Sequence, residues 1–241
     1  MGLATAGELK RPNGGALLPV GSFEPHGTHL PFCTDAYIAM AFARLIGARC
    51  SCAVLPPVCY TPAETTHLLR PTISVRSGAF IPYLKNVCEE ILRHGFDPLA
   101  LISVHKGNEP ALTIVIQELL RERSSAIAYY DPLALGMRTC AADIAPDADA
   151  FTWETSLLCG SLDLLGLSGA FNPAWASLEA AAEEPPGARP KEERTAAYVG
   201  HAYEDLSRHI PLRAPLPPHL VARFMEFVAD TIAVACQKGK S

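Results

Sequence analysis

The residues best equipped for chemistry stand early in the chain, in Gly21-Ser22-Phe23-Glu24-Pro25-His26-Gly27-Thr28-His29-Leu30-Pro31. Glu24 and His26 are two residues apart, and in an extended segment such positions point to the same side. A carboxylate and an imidazole aimed together suit a zinc-like divalent ion. Gly21 and Gly27 permit the tight backbone that such a loop requires. Asp35 follows at the start of a helical apolar pattern, where a carboxylate also favours the helix N-terminus. A carboxylate can bridge two ions, which makes a two-metal site possible. An E-x-H pair alone is common in proteins that bind no metal. His105 adds weight, because it lies just past a second apolar run and is followed by Gly107 and Asn108 in a turn. A single loop histidine is often no more than a satisfied polar group. Two strand-end loops that both carry acid or imidazole groups point to a metal centre.

These groups need a scaffold, and the apolar patterning supplies one. Ala16-Leu17-Leu18-Pro19-Val20 reads as a short buried strand ending at Gly21. Asp35 to Ile46 has apolar residues at helical spacing, and Val54-Leu55-Pro56-Pro57 reads as a second strand stopped by the prolines. Ile81 to His94 predicts a helix closed by Gly95. Leu99-Ala100-Leu101-Ile102-Ser103-Val104 is almost wholly apolar, the pattern of a parallel strand buried on both faces. Pro110 to Arg123 predicts a helix, Ala126 to Tyr130 a strand, and Pro218 to Ala235 a final helix. Alternating strands and helices predict an α/β fold with right-handed crossovers and a mainly parallel sheet. In such sheets ligands gather at the carboxyl ends of the strands, where His105 falls. The stretch from Leu178 to Arg194, which includes Glu183-Glu184-Pro185-Pro186-Gly187-Ala188-Arg189-Pro190, is polar and proline-rich. It reads either as a lid or as a solvated excursion.

Composition narrows the function classes. The chain has 241 residues, 49% hydrophobic and 19% charged, enough to bury a large core in one domain spanning 1–241. The formal net charge is −5 and no basic stripe is visible, so nucleic-acid binding is not expected. No apolar run reaches the ~18 residues of a membrane span, and the first residues carry no apolar signal core. The eight cysteines are dispersed without a CxxC pair, and only Cys50 and Cys52 lie close together. They read as reduced, mostly buried structural thiols of a cytoplasmic protein. Asn13-Gly14-Gly15 makes no GxGxxG fingerprint, so no nicotinamide or flavin site is expected.

The run from Leu18 to Pro31, followed by Thr34-Asp35, resembles the creatininase family signature, roughly LPvGSxEqHGpHLPxxtD. Pro71-Thr72-Ile73-Ser74-Val75 is similar to the family's GTISL segment, with His67 near the histidine that precedes it. Arg93-His94-Gly95-Phe96 is similar to its hGf segment. Val104-His105-Lys106-Gly107-Asn108 stands where NGHGGN is expected, and Glu154-Thr155-Ser156 matches ETS. The resemblance runs in order from about Leu17 to Leu165. The family includes creatinine amidohydrolases and also deformylase and peptidase relatives.

The resemblance implies a three-layer α/β/α sandwich holding one or two divalent ions per chain, zinc foremost, with manganese or iron as alternatives. Carried over by position, Glu24 and His105 would bind one ion, His26 the second, and Asp35 both. In creatininase a glutamate two residues after the strand-end histidine completes the second site, and here that position is Gly107. Glu154 is the candidate replacement, or else a helix N-terminal carboxylate. Ser103, Val104 and Lys106 depart from NGHGGN, and Asp149 stands where a family histidine precedes ETS. The metal cage is therefore expected to be kept and the substrate wall rebuilt, with Lys106, His67 and Trp153 as its candidate residues. Lys106 would hold a substrate carboxylate or simply face solvent. Glu154 or Asp149 would relay the proton. The expected activity is metal-assisted hydrolysis of an amide other than creatinine: a small cyclic amide, a formamide or a short peptide. A non-catalytic relative that binds a small molecule or a partner is the alternative. The family also implies a closed homo-oligomer, often a hexamer.

Overall fold

The computed structural model describes residues 14–122, 125–170 and 212–238. The proline-rich stretch from Leu178 to Arg194 lies outside the described residues. In chain order the elements are β1 (Ala16–Pro19), α1 (Thr34–Cys50), β2 (Ala53–Val54), α2 (Ser77–Arg93), β3 (Leu99–Ile102), α3 (Glu109–Glu122) and β4 (Ile127–Tyr130). Then follow α4 (Pro132–Thr139), α5 (Ala141–Ile144), α6 (Ala150–Leu164) and α7 (Pro218–Lys238).

The four strands form one parallel sheet in the order β2-β1-β3-β4. Register pairs Leu17 with Ala100 and Leu18 with Leu101. All four residues of β1 and of β3 are buried, as their unbroken apolar character requires. Successive side chains point to opposite faces, so each strand feeds two cores. Leu17, Ala100 and Ile102 join α1, α6 and α7 on one face. Ala16, Leu18, Leu99 and Leu101 join α2 and α3 on the other. The result is a three-layer α/β/α sandwich. The chain steps from β1 to β2 with α1 on one face. It then travels the opposite way, to β3 and β4, with α2 and α3 on the other face. Direction therefore reverses between β1 and β3, the crevice where open α/β sheets bind ligands.

Several boundaries differ from the sequence reading. Helix α2 begins at Ser77, a turn ahead of Ile81, because its buried stripe of Phe80, Leu84, Cys88 and Leu92 starts before Pro82. Helix α4 follows an Asp-Pro signal: Asp131 Oδ1 accepts from the Ala134 amide at 2.8 Å, and Pro132 occupies the first turn. Helix α7 runs on to Lys238, beyond Ala235. Half of the cysteines (Cys50, Cys88, Cys140 and Cys236) are buried and the other four are half-buried, so the thiols are less deeply placed than expected; no disulfide joins any of them. No helix among the described residues is long and apolar enough to cross a membrane.

Candidate metal centre

The loops after β1 and β3 deliver their side chains to one buried space. The β1 loop brings Glu24 and His26, the first turn of α1 brings Asp35, and the end of the β3 segment brings His105. Glu24 and His26 are 3% exposed, Asp35 1% and His105 8%. Two groups of three form, each with one ligand atom per residue and all such atoms within 4.8 Å of one another. One is Glu24, Asp35 and His105, and the other is His26, Asp35 and Glu154. Asp35 belongs to both.

The imidazole orientations fit a metal. His105 Nδ1 lies 2.8 Å from Glu24 Oε1 and 3.2 Å from Asp35 Oδ2. Its far nitrogen, Nε2, donates to the Pro62 carbonyl at 2.8 Å. His26 is turned the other way. Its Nδ1 donates to the Glu24 carbonyl at 3.0 Å, and Nε2 stands 3.3 Å from Asp35 Oδ2 and 3.8 Å from Glu154 Oε1. Each ring thus spends one N–H on a backbone carbonyl, which fixes the tautomer and leaves the other nitrogen facing the carboxylates. Two hydroxyls brace the acids: Ser22 Oγ donates to Asp35 Oδ2 at 2.8 Å, and Thr66 Oγ1 donates to Glu24 Oε2. Beneath them, Thr61 Oγ1 and Asn108 Nδ2 both donate to the Gly21 carbonyl at 2.8 Å, tying three loops together.

The charge balance also calls for a cation. Three carboxylates share the space, and the partners within reach are two imidazoles. Burial opposes a charged His26, yet Asp35, Glu154 and Glu24 outweigh it and push its pKa up to about 10. The same contest, fought against Asp35 and Glu24, holds His105 well above its ordinary value. Burial would raise Asp35, but His26 and His105 keep it well below the usual carboxylate range. Glu24 is also lowered, burial being overcome by His105 and His26. Burial pushes Glu154 up to about 7. His29, buried beside His26, is pushed down to about 4 and carries no charge at neutral pH. Protons thus occupy positions that a divalent ion would take, and the donor set of oxygen and imidazole suits Zn, Mn or Fe.

The remaining sequence candidates lie elsewhere. Trp153 is a correction: it is 0% exposed and stacks on Phe224 of α7 with ring centroids 4.3 Å apart, so it belongs to the core and not to a substrate wall. Its neighbour Glu154 takes the face of α6 turned to the centre. Asp149 caps α6, accepting from the Thr152 amide and hydroxyl at 2.7 Å and from Arg213 at 3.0 Å. The Lys106 ammonium is held 2.7 Å from Asp131 and 3.4 Å from Glu109. His67 is exposed and its Nδ1 donates to the Glu64 carbonyl; the preceding residue, Thr66, is the one that reaches Glu24. Ser22 and Thr66 escaped the sequence reading, although Ser22 stands inside the matched signature. Gly107 has a steric reason: a Cβ there would lie 2.4 Å from His105 Nε2 and 3.0 Å from the Pro62 carbonyl.

The model of the creatininase (creatinine amidohydrolase) family matches residues 3–207. A 3-dehydro-scyllo-inosose hydrolase of Thermotoga maritima is 30% identical over 106 residues, which are 44% of this chain and 34% of that protein. A mycofactocin precursor peptide peptidase of Mycobacterium ulcerans is 29% identical over 167 residues, 66% of this chain and 62% of that one. The chain thus spans less than two thirds of either relative. A creatininase crystal structure superposes with a TM-score of 0.76 at 20% identity, covering 99% of this chain and 96% of that one. With the family model matched over most of its length, this chain belongs to the creatininase family.

Proposed function

We propose that the chain is a divalent-metal-dependent amidohydrolase that cleaves an amide other than creatinine: a small cyclic amide, a formamide or a short peptide end. The observation that carries this reading is the pair of buried ligand groups joined through Asp35. Glu24, Asp35 and His105 would hold one ion, and His26, Asp35 and Glu154 a second. Ions bound there would polarise a carbonyl and make water acidic enough to attack it near neutral pH. Zinc is our first choice of metal, and solved creatininases are described in both Zn-Zn and Mn forms.

The chain's own residues have distinct tasks. Ser22 and Thr66 fix the carboxylates of Asp35 and Glu24, and the carbonyls of Glu24 and Pro62 fix the two rings. Glu154 takes the attacking water's proton and passes it to the leaving nitrogen. Asp149 is less suited to that relay, because its oxygens are engaged by Thr152 and Arg213. Gly107 leaves the His105 ring its place against Pro62, since a Cβ there would press on Nε2. The names of the two relatives, an inosose hydrolase and a peptide peptidase, favour the same conclusion. We also propose that the chain assembles as a closed homo-oligomer, which light scattering would check. The direct test is turnover of an amide panel by metal-loaded wild type and by Glu154→Gln. Loss of turnover by about 10²–10⁴-fold, the span of a general acid–base group, is the expected result.

A further inference from the structure

Two cysteines that are far apart in the chain meet between the loops that follow β1 and β2. Cys33 is the residue before α1, and Cys59 lies in the loop after β2. Their thiols hydrogen-bond to one another, Cys33 Sγ–H donating to the Cys59 sulfur. Both backbones are anchored. The Cys33 carbonyl accepts from the Tyr37 amide at 3.0 Å, at the start of α1. Val58 bridges to Val20 in parallel, and its carbonyl accepts from the Gly21 amide at 2.8 Å. The Cys33 side chain makes no capping bond to α1, so its sulfur is available to Cys59. Both residues are half-buried and line one cavity with Phe23, Tyr60, Phe80 and Tyr83. Tyr60 and Tyr83 are exposed, so the cavity communicates with solvent and a small solute can reach the pair.

The chemistry of this pair differs from that of deeper thiols. The bond from Cys33 outweighs burial and lowers Cys59 to about 7, which gives it thiolate character at neutral pH. Burial pushes Cys88 up to about 12 and Cys159 up to about 11, which keeps both as thiols. A solvent-reached thiolate beside a second thiol is the arrangement of a reversible oxidation site. We propose that Cys33 and Cys59 are a modification site for hydroperoxides and close to a reversible disulfide. The Cys59 sulfur attacks one peroxide oxygen, and the O–O bond breaks. Cys59 becomes a sulfenic acid, and the second oxygen leaves as hydroxide, which takes a proton from solvent. The Cys33 sulfur then attacks the Cys59 sulfur. The S–O bond breaks, and its hydroxyl departs as water with the Cys33 proton. The two sulfurs together give up two electrons, and the peroxide receives them. Because the sulfurs already touch, little backbone movement is needed to reach the ~2.05 Å of an S–S bond. The link ties the chain just ahead of Asp35 to the loop whose Thr61, Pro62 and Thr66 brace the metal centre. It does not depend on what that centre hydrolyses.

The test treats protein as purified, in buffer without reductant, with hydrogen peroxide at about one equivalent per chain. The products are read by mass mapping of unreduced peptides. The Cys33–Cys59 linked peptide should be the main product, with Cys59 oxidised about tenfold or more faster than Cys159. Dithiothreitol should remove the link, and circular dichroism should show the fold unchanged throughout. Cys33→Ser, which keeps the side chain's size, should halt at the Cys59 sulfenic acid, trapped there by dimedone. Cys59→Ser should leave Cys33 oxidised about tenfold less or lower still. A folded wild type in which Cys59 reacts no faster than Cys159 overturns the proposal. So does a Cys59 sulfenic acid that accumulates in wild type while Cys33 stays reduced. The wild-type arm needs no substitution, so a variant that misfolds leaves the test standing.

Discussion

Two histidines facing three carboxylates make the centre a competitor between protons and metal. His26, raised to about 10, is protonated at pH 7.5 in chelated protein, and the same carboxylates raise His105 as well. Metal uptake must expel that proton, so its affinity rises with pH. We expect about one proton or more per chain released on saturation at pH 7.5, read in weakly buffered solution with an indicator dye; no release would mean that His26 is not a ligand. The bracing hydroxyls carry a second expectation. Ser22→Ala removes the donor to Asp35 Oδ2, and outer partners of this kind are worth about 10–100-fold in metal affinity. Unchanged affinity would reduce Ser22 to packing. The acids and imidazoles were legible in the sequence because their types and spacing are chemically unusual. Ser22 and Thr66 were not, because a hydroxyl becomes a brace only when folding sets it against a particular oxygen. Trp153 was expected in the substrate wall, but its ring stacks on Phe224 in the core, a packing that residue type alone does not reveal.

The strands and helices explain why these side chains meet. β1 and β3 are adjacent, and the loops leaving their carboxyl ends carry Glu24, His26 and His105 to the crevice where the winding direction reverses. α1 then returns Asp35 on its first turn. Gly107 is the tightest joint in this arrangement. Gly107→Ala would place a methyl 2.4 Å from His105 Nε2 and disturb its bond to Pro62. The expected result is metal binding weaker by about 10–100-fold, with the fold retained by circular dichroism. Normal affinity would show that the ring has another resting place. The main strands and helices could be read from apolar runs and helical spacing, as in Leu99 to Val104. Boundaries were harder: the start of α2 is set by Phe80 packing against the sheet, which outweighs the breaking tendency of Pro82.

The two cores bind the layers into one framework, and the metal centre sits above both at the end of the sheet. Trp153 and Phe224 join α6 to α7 in the larger core, behind Glu154. Trp153→Ala should therefore cost about 3–5 kcal/mol of stability, measured by denaturant unfolding, while a loss under about 1 kcal/mol would mean that the site collapses to fill the gap. The three-layer architecture was legible because β-strands with no polar face demand helices on both sides. The cavity of about 580 Å³ walled by Phe23, Tyr60 and Tyr83 was not, because its wall comes from segments distant in sequence. The central claim is that Asp35 joins two ligand groups into one catalytic centre. Metal analysis of wild type and Asp35→Ala, purified without chelator and assayed on one amide panel, tests it most directly. The expected result is about one to two divalent ions per wild-type chain, with metal and amide hydrolysis lost together in the variant. A wild type without stoichiometric metal, or a variant that keeps both metal and turnover, would contradict it.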